Sequence, residues 1–122
     1  MSVNNMEKIK CNSIQDFNGS IRKYFNLIDM RLMLVEHYED VEKWHKHETT
    51  SQIIFVIDGE IEVLSKNNTE IINKDEFIVI PAGEWHKVSP KTKTTKLLVI
   101  KYRESNINII NELKNDYIRE DK

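Results

Sequence analysis

The chain has 122 residues, 39% of them hydrophobic, and a formal net charge of −2. This length suits one domain with a modest core. The near-neutral charge gives no electrostatic case for binding nucleic acid or an anionic membrane. Cys11 is the only cysteine, which excludes an intramolecular disulfide. Because residues 1–10 also lack the apolar run of a signal peptide, we expect a protein of the reducing cytoplasm.

Residues 1–29 are predicted to be an N-terminal extension with edge elements. The stretch 1–13 is polar and suits either a loose tail or an added edge strand. After it, apolar residues recur every three or four positions, which indicates a short helical turn broken near Asn18-Gly19. These residues are Ile14, Phe17, Ile21 and Phe25.

Between residues 30 and 103 the pattern is typical of short β-strands separated by polar turns. Gln52 to Asp58 is the most β-prone run, and Asp58-Gly59 predicts a tight hairpin after it. Strands of this length and spacing indicate an all-β, antiparallel sandwich or barrel in a single domain. The predicted strands cover residues 30–38, 44–47, 52–58, 60–64, 69–72, 76–80, 85–88 and 95–102.

Two further predictions concern what surrounds this β-domain. Residues 104–122 are predicted to form a C-terminal helix, capped by Ser105 and with an apolar side that ends at Tyr117. Strands such as 52–57 are apolar on both faces, so one face needs cover from a second sheet, a helix or another subunit. We therefore expect a homodimer.

Three of the four histidines lie in two short windows of the chain. His45 and His47 are two residues apart, so on a strand they share a face. Gln52 follows at an odd offset and reaches that face only if the polar residues before it bend the chain. His86 follows a Pro-x-Gly turn, which can end one strand and direct the next inward. The pattern thus predicts three imidazole nitrogens and one amide oxygen around a single metal ion.

These two windows resemble the paired motifs of the cupin superfamily, specifically of small single-domain cupins. The first family motif is a glycine, His-x-His, a glutamate and a second glycine, and Gln52 stands at the glutamate place. The second is a glycine, Pro-x-Gly, a histidine and an asparagine. The chain departs from the family at three turn positions, which hold Glu39, Asp75 and Pro90. The matching residues are His45, His47 and Gly59 in the first motif and Pro81, Gly83 and His86 in the second.

The resemblance implies a cupin jelly roll or β-barrel over residues 30–103 that holds a divalent transition metal. Zinc, iron, nickel and manganese all suit the implied ligands His45, His47, Gln52 and His86. A neutral amide in place of glutamate would leave the ion a stronger Lewis acid and favour an anionic ligand. Gln52 has a second interpretation, as a hydrogen-bond partner of a ligand histidine, because amide oxygen is a poorer ligand for most transition metals.

Small cupins with this ligand set include the group that rearranges unsaturated uronates from pectin or alginate breakdown. In that group an acidic residue near the last strand moves protons, whereas here that strand has no carboxylate before Glu104. Lys101 and Arg103 lie there instead and could hold a carboxylate. The first hypothesis is a metal-dependent isomerase or lyase for a small organic acid or sugar acid. The alternatives are a non-catalytic small-ligand-binding or sensor cupin and a cupin dioxygenase, so whether the chain is an enzyme stays open.

Overall fold

The computed structural model describes residues 6–17, 20–39, 42–103 and 117–120. Within these ranges all regular structure is β, and none of the described segments is a helix that could cross a membrane. The strands are β1 (Ser13–Phe17), β2 (Ser20–Asn26), β3 (Met30–Glu36), β4 (His45–His47), β5 (Ser51–Asp58), β6 (Glu60–Ser65), β7 (Thr69–Asn73), β8 (Phe77–Ile80), β9 (His86–Pro90), β10 (Lys96–Tyr102) and β11 (Tyr117–Arg119).

The strands form two antiparallel sheets. The first has the order β1-β2-β3-β10-β5-β8 and the second the order β11-β4-β9-β6-β7. No described strand is shared between the sheets, so of the predicted alternatives of sandwich, barrel and jelly roll the closed barrel is not formed. The architecture is an open, jelly-roll-like sandwich.

Alternation along the strands explains how the two sheets bury a common core. On β5, Gln52, Ile54 and Val56 are buried, whereas Ile53 and Phe55 on the other face are only partly buried. Each buried aliphatic side chain contributes about 1.5–3 kcal/mol relative to exposure. The core comprises Val35, Tyr38, Ile54, Val56, Ile61, Val63, Ile72, Ile80, Val88, Leu97 and Val99.

The turn before β8 explains one departure from the cupin motifs. Asp75, which stands where the family has a glycine, adopts a φ of 68°. This left-handed region favours glycine, and aspartate is one of the few other residues that enter it readily. The Asp75 amide donates to the carbonyl of Val56 at 2.9 Å, which fixes the turn against β5. The turn geometry is thus kept although the glycine is not.

The predicted helical turn near the N-terminus is wrong. Ile14 and Phe17 lie in β1, while Ile21 and Phe25 lie in β2, and the two strands pair antiparallel. Ile14 is 63% exposed and Phe17 is 47% exposed, so the spacing of these residues does not mark a buried helical stripe. Pairing of β2 with β3 extends the sheet and satisfies the backbone, which overrides local periodicity.

The predicted C-terminal helix is also not supported. Residues 104–116, which hold most of it, lie outside the described part of the chain. Tyr117, the last residue of the predicted apolar side, begins β11 instead. This strand pairs antiparallel with β4, with Tyr117 opposite His47 and Arg119 opposite His45. The pairing gives the backbone of β4 hydrogen-bond partners along an otherwise open edge.

Candidate metal centre

Two neighbouring strands bring the three predicted imidazoles together. On β4, His45 and His47 are each 5% exposed and point inward, with Lys46 directed the other way. His86 begins β9, lies opposite His45 in the sheet and is 1% exposed. One ring nitrogen of each histidine lies within 4.8 Å of those of the other two. The clustering predicted from the sequence is confirmed.

The Pro-x-Gly turn positions the third imidazole. The amide of Gly83 donates to the carbonyl of His47 at 2.8 Å, and the amide of Ala82 donates to Ser51 Oγ at 3.2 Å. The first bond fixes the turn against β4, which carries the first two histidines, and the second fixes it against the start of β5. The strand that follows the turn therefore starts beside β4, with His86 facing the same interior.

Gln52 reaches the cluster because the chain changes sheet after His47. The bend predicted between these residues takes the chain from β4 in one sheet to β5 in the other. Gln52 is 5% exposed, and its side-chain Nε2 donates to His86 Nε2 across 2.9 Å. Half a turn about the last side-chain torsion would bring Oε1 to the same place. The side chain can therefore serve either interpretation, as a hydrogen-bond donor or as a metal ligand.

Backbone carbonyls select the tautomer of two of the rings. His45 Nδ1 lies 2.8 Å from the carbonyl of Lys43, and His86 Nδ1 lies 2.9 Å from the carbonyl of Glu84. A carbonyl oxygen only accepts, so each Nδ1 carries the proton and each neutral ring keeps a lone pair on Nε2. Such contacts also orient histidine ligands in metal sites.

Burial keeps these rings neutral. Desolvation lowers the pKa of His86 to about 4, and the positive charge of Lys101 adds to the effect. Desolvation, with smaller contributions from Lys101 and Arg22, also lowers the pKa of His45. A metal binds the neutral form of imidazole, so both rings are ready to coordinate at physiological pH.

The dimensions of the cluster fit a transition metal. Two nitrogens bound at about 2.1 Å from one ion lie at most about 4.2 Å apart. At tetrahedral angles they lie about 3.4 Å apart, and the ring nitrogens of the cluster lie within 4.8 Å of one another, so side-chain movements of about 1 Å would bring them to one ion. Three buried imidazoles suit zinc, iron or nickel by donor type, and the set does not distinguish among them.

His45, His47 and Gln52 line a cavity of about 350 Å³, whereas His86 lines a second pocket. The walls of the first cavity are mainly the apolar side chains of β3, β5 and β10, but its lining also includes one carboxyl group and four cationic groups. The carboxyl group belongs to Glu42. The cationic groups belong to Arg22, Arg31, Lys101 and Arg119.

Glu42 was missed by the sequence reasoning, which searched the last strand for a carboxylate. It lies in the connection before β4, with Oε1 3.9 Å from His45 Nδ1. The hydroxyl of the buried Tyr38 lies 2.5 Å from Glu42 Oε2 and 2.7 Å from the carbonyl of Val88. Burial raises the pKa of Glu42. The hydroxyl of Tyr38 can donate its proton to either of these acceptors.

The cations on β2, β3 and β11 were missed as well. Arg22 and Arg31 face the cavity only because of strand register, and no local motif indicates this. Trp44 and Trp85, which directly precede His45 and His86, do not line the cavity. Lys66 Nζ lies 4.4 Å from the ring centre of Trp44 and 5.9 Å from that of Trp85.

Comparison with known proteins places this site in a family. The sequence profile of the cupin domain family matches residues 31–101. No curated protein sequence that was compared with the chain matches it.

Several solved structures share the fold. KdgF from Halomonas sp. is 19% identical, with a TM-score of 0.66 over 78% of this chain and 89% of that chain. A Streptomyces PAC13 structure with uridine is 10% identical, with a TM-score of 0.71 over 95% and 91%. A cupin-2 domain containing protein from Shewanella frigidimarina is 22% identical, with a TM-score of 0.58 over 83% and 85%. These similarities establish the fold.

Proposed function

The chain belongs to the cupin family, and we propose that it is a metal-dependent protein that acts on a small organic acid or sugar acid. The observation that carries the proposal is the composition of one cavity. Two of the three clustered imidazoles, those of His45 and His47, share it with four cationic side chains, and among the described residues only Glu42 adds a carboxyl group to its lining. Such a lining favours an anionic ligand beside a metal.

We assign a divalent transition metal to His45, His47, Gln52 and His86. When bound, the metal would supply Lewis acidity toward a carboxylate or carbonyl oxygen of the ligand. A set of four neutral ligands leaves the charge of the ion uncompensated, which strengthens this polarisation and the attraction for an anion. Gln52 would turn its amide oxygen toward the ion and release its hydrogen bond to His86 Nε2.

Isomerisation or lyase chemistry is the reaction class that this lining supports best, because both need a positioned proton-transfer group. Glu42 can fill that role. Burial raises the pKa of Glu42 above the usual range of a carboxyl group, and its side chain lies beside His45 at the cavity wall. One fold neighbour, Pac13, is described as a nucleoside dehydratase, which shows that the scaffold supports an elimination reaction.

The test is a turnover screen of the metal-loaded protein with unsaturated uronates, keto acids and diketones. A metal-dependent enzyme should convert at least one of these compounds, and Glu42→Gln should abolish turnover while retaining the metal and the ligand affinity. Lys96→Gln, at the far end of β10 beside Asp58, is the control and should keep full activity. The catalytic proposal fails if fully loaded protein converts none of these acids.

A non-catalytic small-ligand-binding or sensor cupin is the second candidate. The observation in its favour is that Glu42 is engaged by the hydroxyl of Tyr38 and, more weakly, by the amide of Val88 at 3.4 Å. Those contacts suit a structural carboxyl group as well as a catalytic one. This function would be supported if the protein binds an acid without converting it to a product and if Glu42→Gln binds that acid with equal affinity.

We also propose that the chain forms a homodimer through the outer face of its six-stranded sheet. That face carries apolar side chains from adjacent strands, with Phe55 of β5 opposite Phe77 of β8 and Ile53 opposite Val79. Phe77 is 59% exposed and Val79 is 47% exposed. A second copy would remove this surface from water. A cytoplasmic location remains a prediction that rests on the single cysteine.

A further inference from the structure

The register of the six-stranded sheet aligns two cations with Gln52. Lys101 on β10 lies opposite Gln52 on β5 and, on its other side, opposite Arg31 on β3. Residues directly opposite one another in antiparallel strands point to the same face. All three line the cavity. Because neighbouring strands lie about 4.8 Å apart, the backbones of Lys101 and Arg31 lie about 5 Å and about 10 Å from the backbone of Gln52.

Arg31 is held at the cavity wall by neutral groups. Its Nε donates to Asn26 Oδ1 at 2.7 Å, and its guanidinium lies 4.7 Å from the ring centre of Tyr24. The two contacts orient the planar fork and leave its positive charge uncompensated by them. An arginine fork fixed in this way binds a carboxylate or a phosphate bidentately.

We propose that Arg31 and Lys101 bind a second anionic group of the ligand, so that the ligand is a small acid with two anionic ends. This inference rests on the proposed function, in which the first anionic group lies at the metal beside Gln52. The second group, a carboxylate or a phosphate, lies along the row toward β3. The ligand class is therefore a sugar acid or keto acid with a second carboxylate or with a phosphate.

Charge favours this class over simple monocarboxylic acids. A monoanion held at the metal would leave Arg31 facing the partly desolvated cavity without an anion among its described contacts. Burial already lowers the pKa of Arg31, which shows that its charge is poorly solvated there. A second anion replaces the missing water and forms charge-assisted hydrogen bonds.

Three probes that share the same carbon chain test the inference. D-gluconate has a single carboxylate, D-glucarate adds a second at the other end, and 6-phospho-D-gluconate adds a phosphate there. Their affinities for the zinc-loaded protein are measured by calorimetry, with metal content determined after each titration to detect chelation. At least one of the two dianions should bind ten times or more tightly than gluconate, and which of them does so identifies the second group as carboxylate or phosphate.

Variants make the test specific to the row. Arg31→Gln should reduce dianion affinity at least tenfold, to the level of gluconate, and should leave gluconate affinity and metal content unchanged. Lys101→Gln should act in the same direction, and Arg31→Lys should restore part of the loss. Lys96→Gln removes an equal charge from the same strand and should change nothing. If Arg31→Gln fails to fold, Lys101→Gln and Arg31→Lys carry the comparison.

The outcomes separate this inference from the proposed function. Equal affinities for all three probes would overturn the two-anion ligand and leave metal-dependent acid binding in place, as would an equal loss for all three in Arg31→Gln. If zinc-loaded protein binds none of the probes and no acid from the turnover screen, the proposed function fails and this inference fails with it.

Discussion

The two motif glycines have the same backbone conformation but different surroundings, and this predicts unequal effects of the same substitution. Gly59 and Gly83 both have a φ of 85°. A Cβ at Gly59 would lie 2.4 Å from the carbonyl oxygen of Thr94 and 2.5 Å from Thr92 Oγ1, well inside the 3.0 Å that real Cβ atoms keep. A Cβ at Gly83 would have no other heavy atom within 4 Å.

Gly83→Ala therefore incurs the left-handed backbone cost alone, about 1–2 kcal/mol. Gly59→Ala adds the displacement of a packed loop, about 1–3 kcal/mol more. Urea unfolding of the two variants, followed by tryptophan fluorescence, measures this difference directly. Equal destabilisation by the two substitutions would show that the loop of Thr92 and Thr94 does not pack over the hairpin as described.

Three further predictions follow from single contacts. In the metal-free protein the pKa of His86 is about 4, below the ordinary histidine value of 6.5, so the unfolded chain takes up the proton first as the pH falls. The free energy of unfolding should therefore decrease by about 3 kcal/mol between pH 7 and pH 4, and His86→Gln should flatten that decrease. Tyr38→Phe removes the hydroxyl donor from Glu42 Oε2 and the carbonyl of Val88 and should lower the free energy of unfolding in urea by about 1–3 kcal/mol. Tyr24→Phe, which removes an exposed hydrogen bond, should lower it by less than about 1 kcal/mol. Similar losses in the two variants would contradict the role given to Tyr38. In sedimentation experiments Phe77→Glu should convert the dimer to a monomer. Ile71→Glu, which places the same charge on the other sheet, should leave the dimer intact. A monomeric parent protein would refute the interface.

The sequence was most informative where side-chain alternation and turn chemistry act locally. Alternation alone placed His45 and His47 on one face, and the polar bend after them allowed Gln52 to return to it. Strand positions from β3 to β10 follow from the same two signals, because buried faces and turn residues repeat within each hairpin. The second motif correctly predicted the position of His86 although its first glycine is replaced, because Asp75 adopts the left-handed backbone conformation that favours glycine.

Sequence reasoning failed where non-local pairing decides the structure. The apolar spacing of Ile14 to Phe25 matched a helix, but those residues extend the sheet beyond β3. Tyr117 was assigned to a helix for the same reason, although its backbone pairs with β4. The cations of the cavity, such as Arg31, became visible only through register, because a cross-strand row combines residues far apart in the sequence. Glu42 was missed because it lies in a charged connection between strands, and no local pattern indicates that its side chain is buried.

The most direct test of the account is the metal content of the protein. Elemental analysis should find about one transition metal ion per chain after purification or reconstitution, and His47→Ala should lose it. The matched control is His37→Asn, because His37 is exposed and asparagine tolerates its φ of 53°. This control should keep the metal. Absence of metal from the parent protein after reconstitution with zinc, iron, nickel and manganese in turn, or its full retention in His47→Ala, would contradict the central claim.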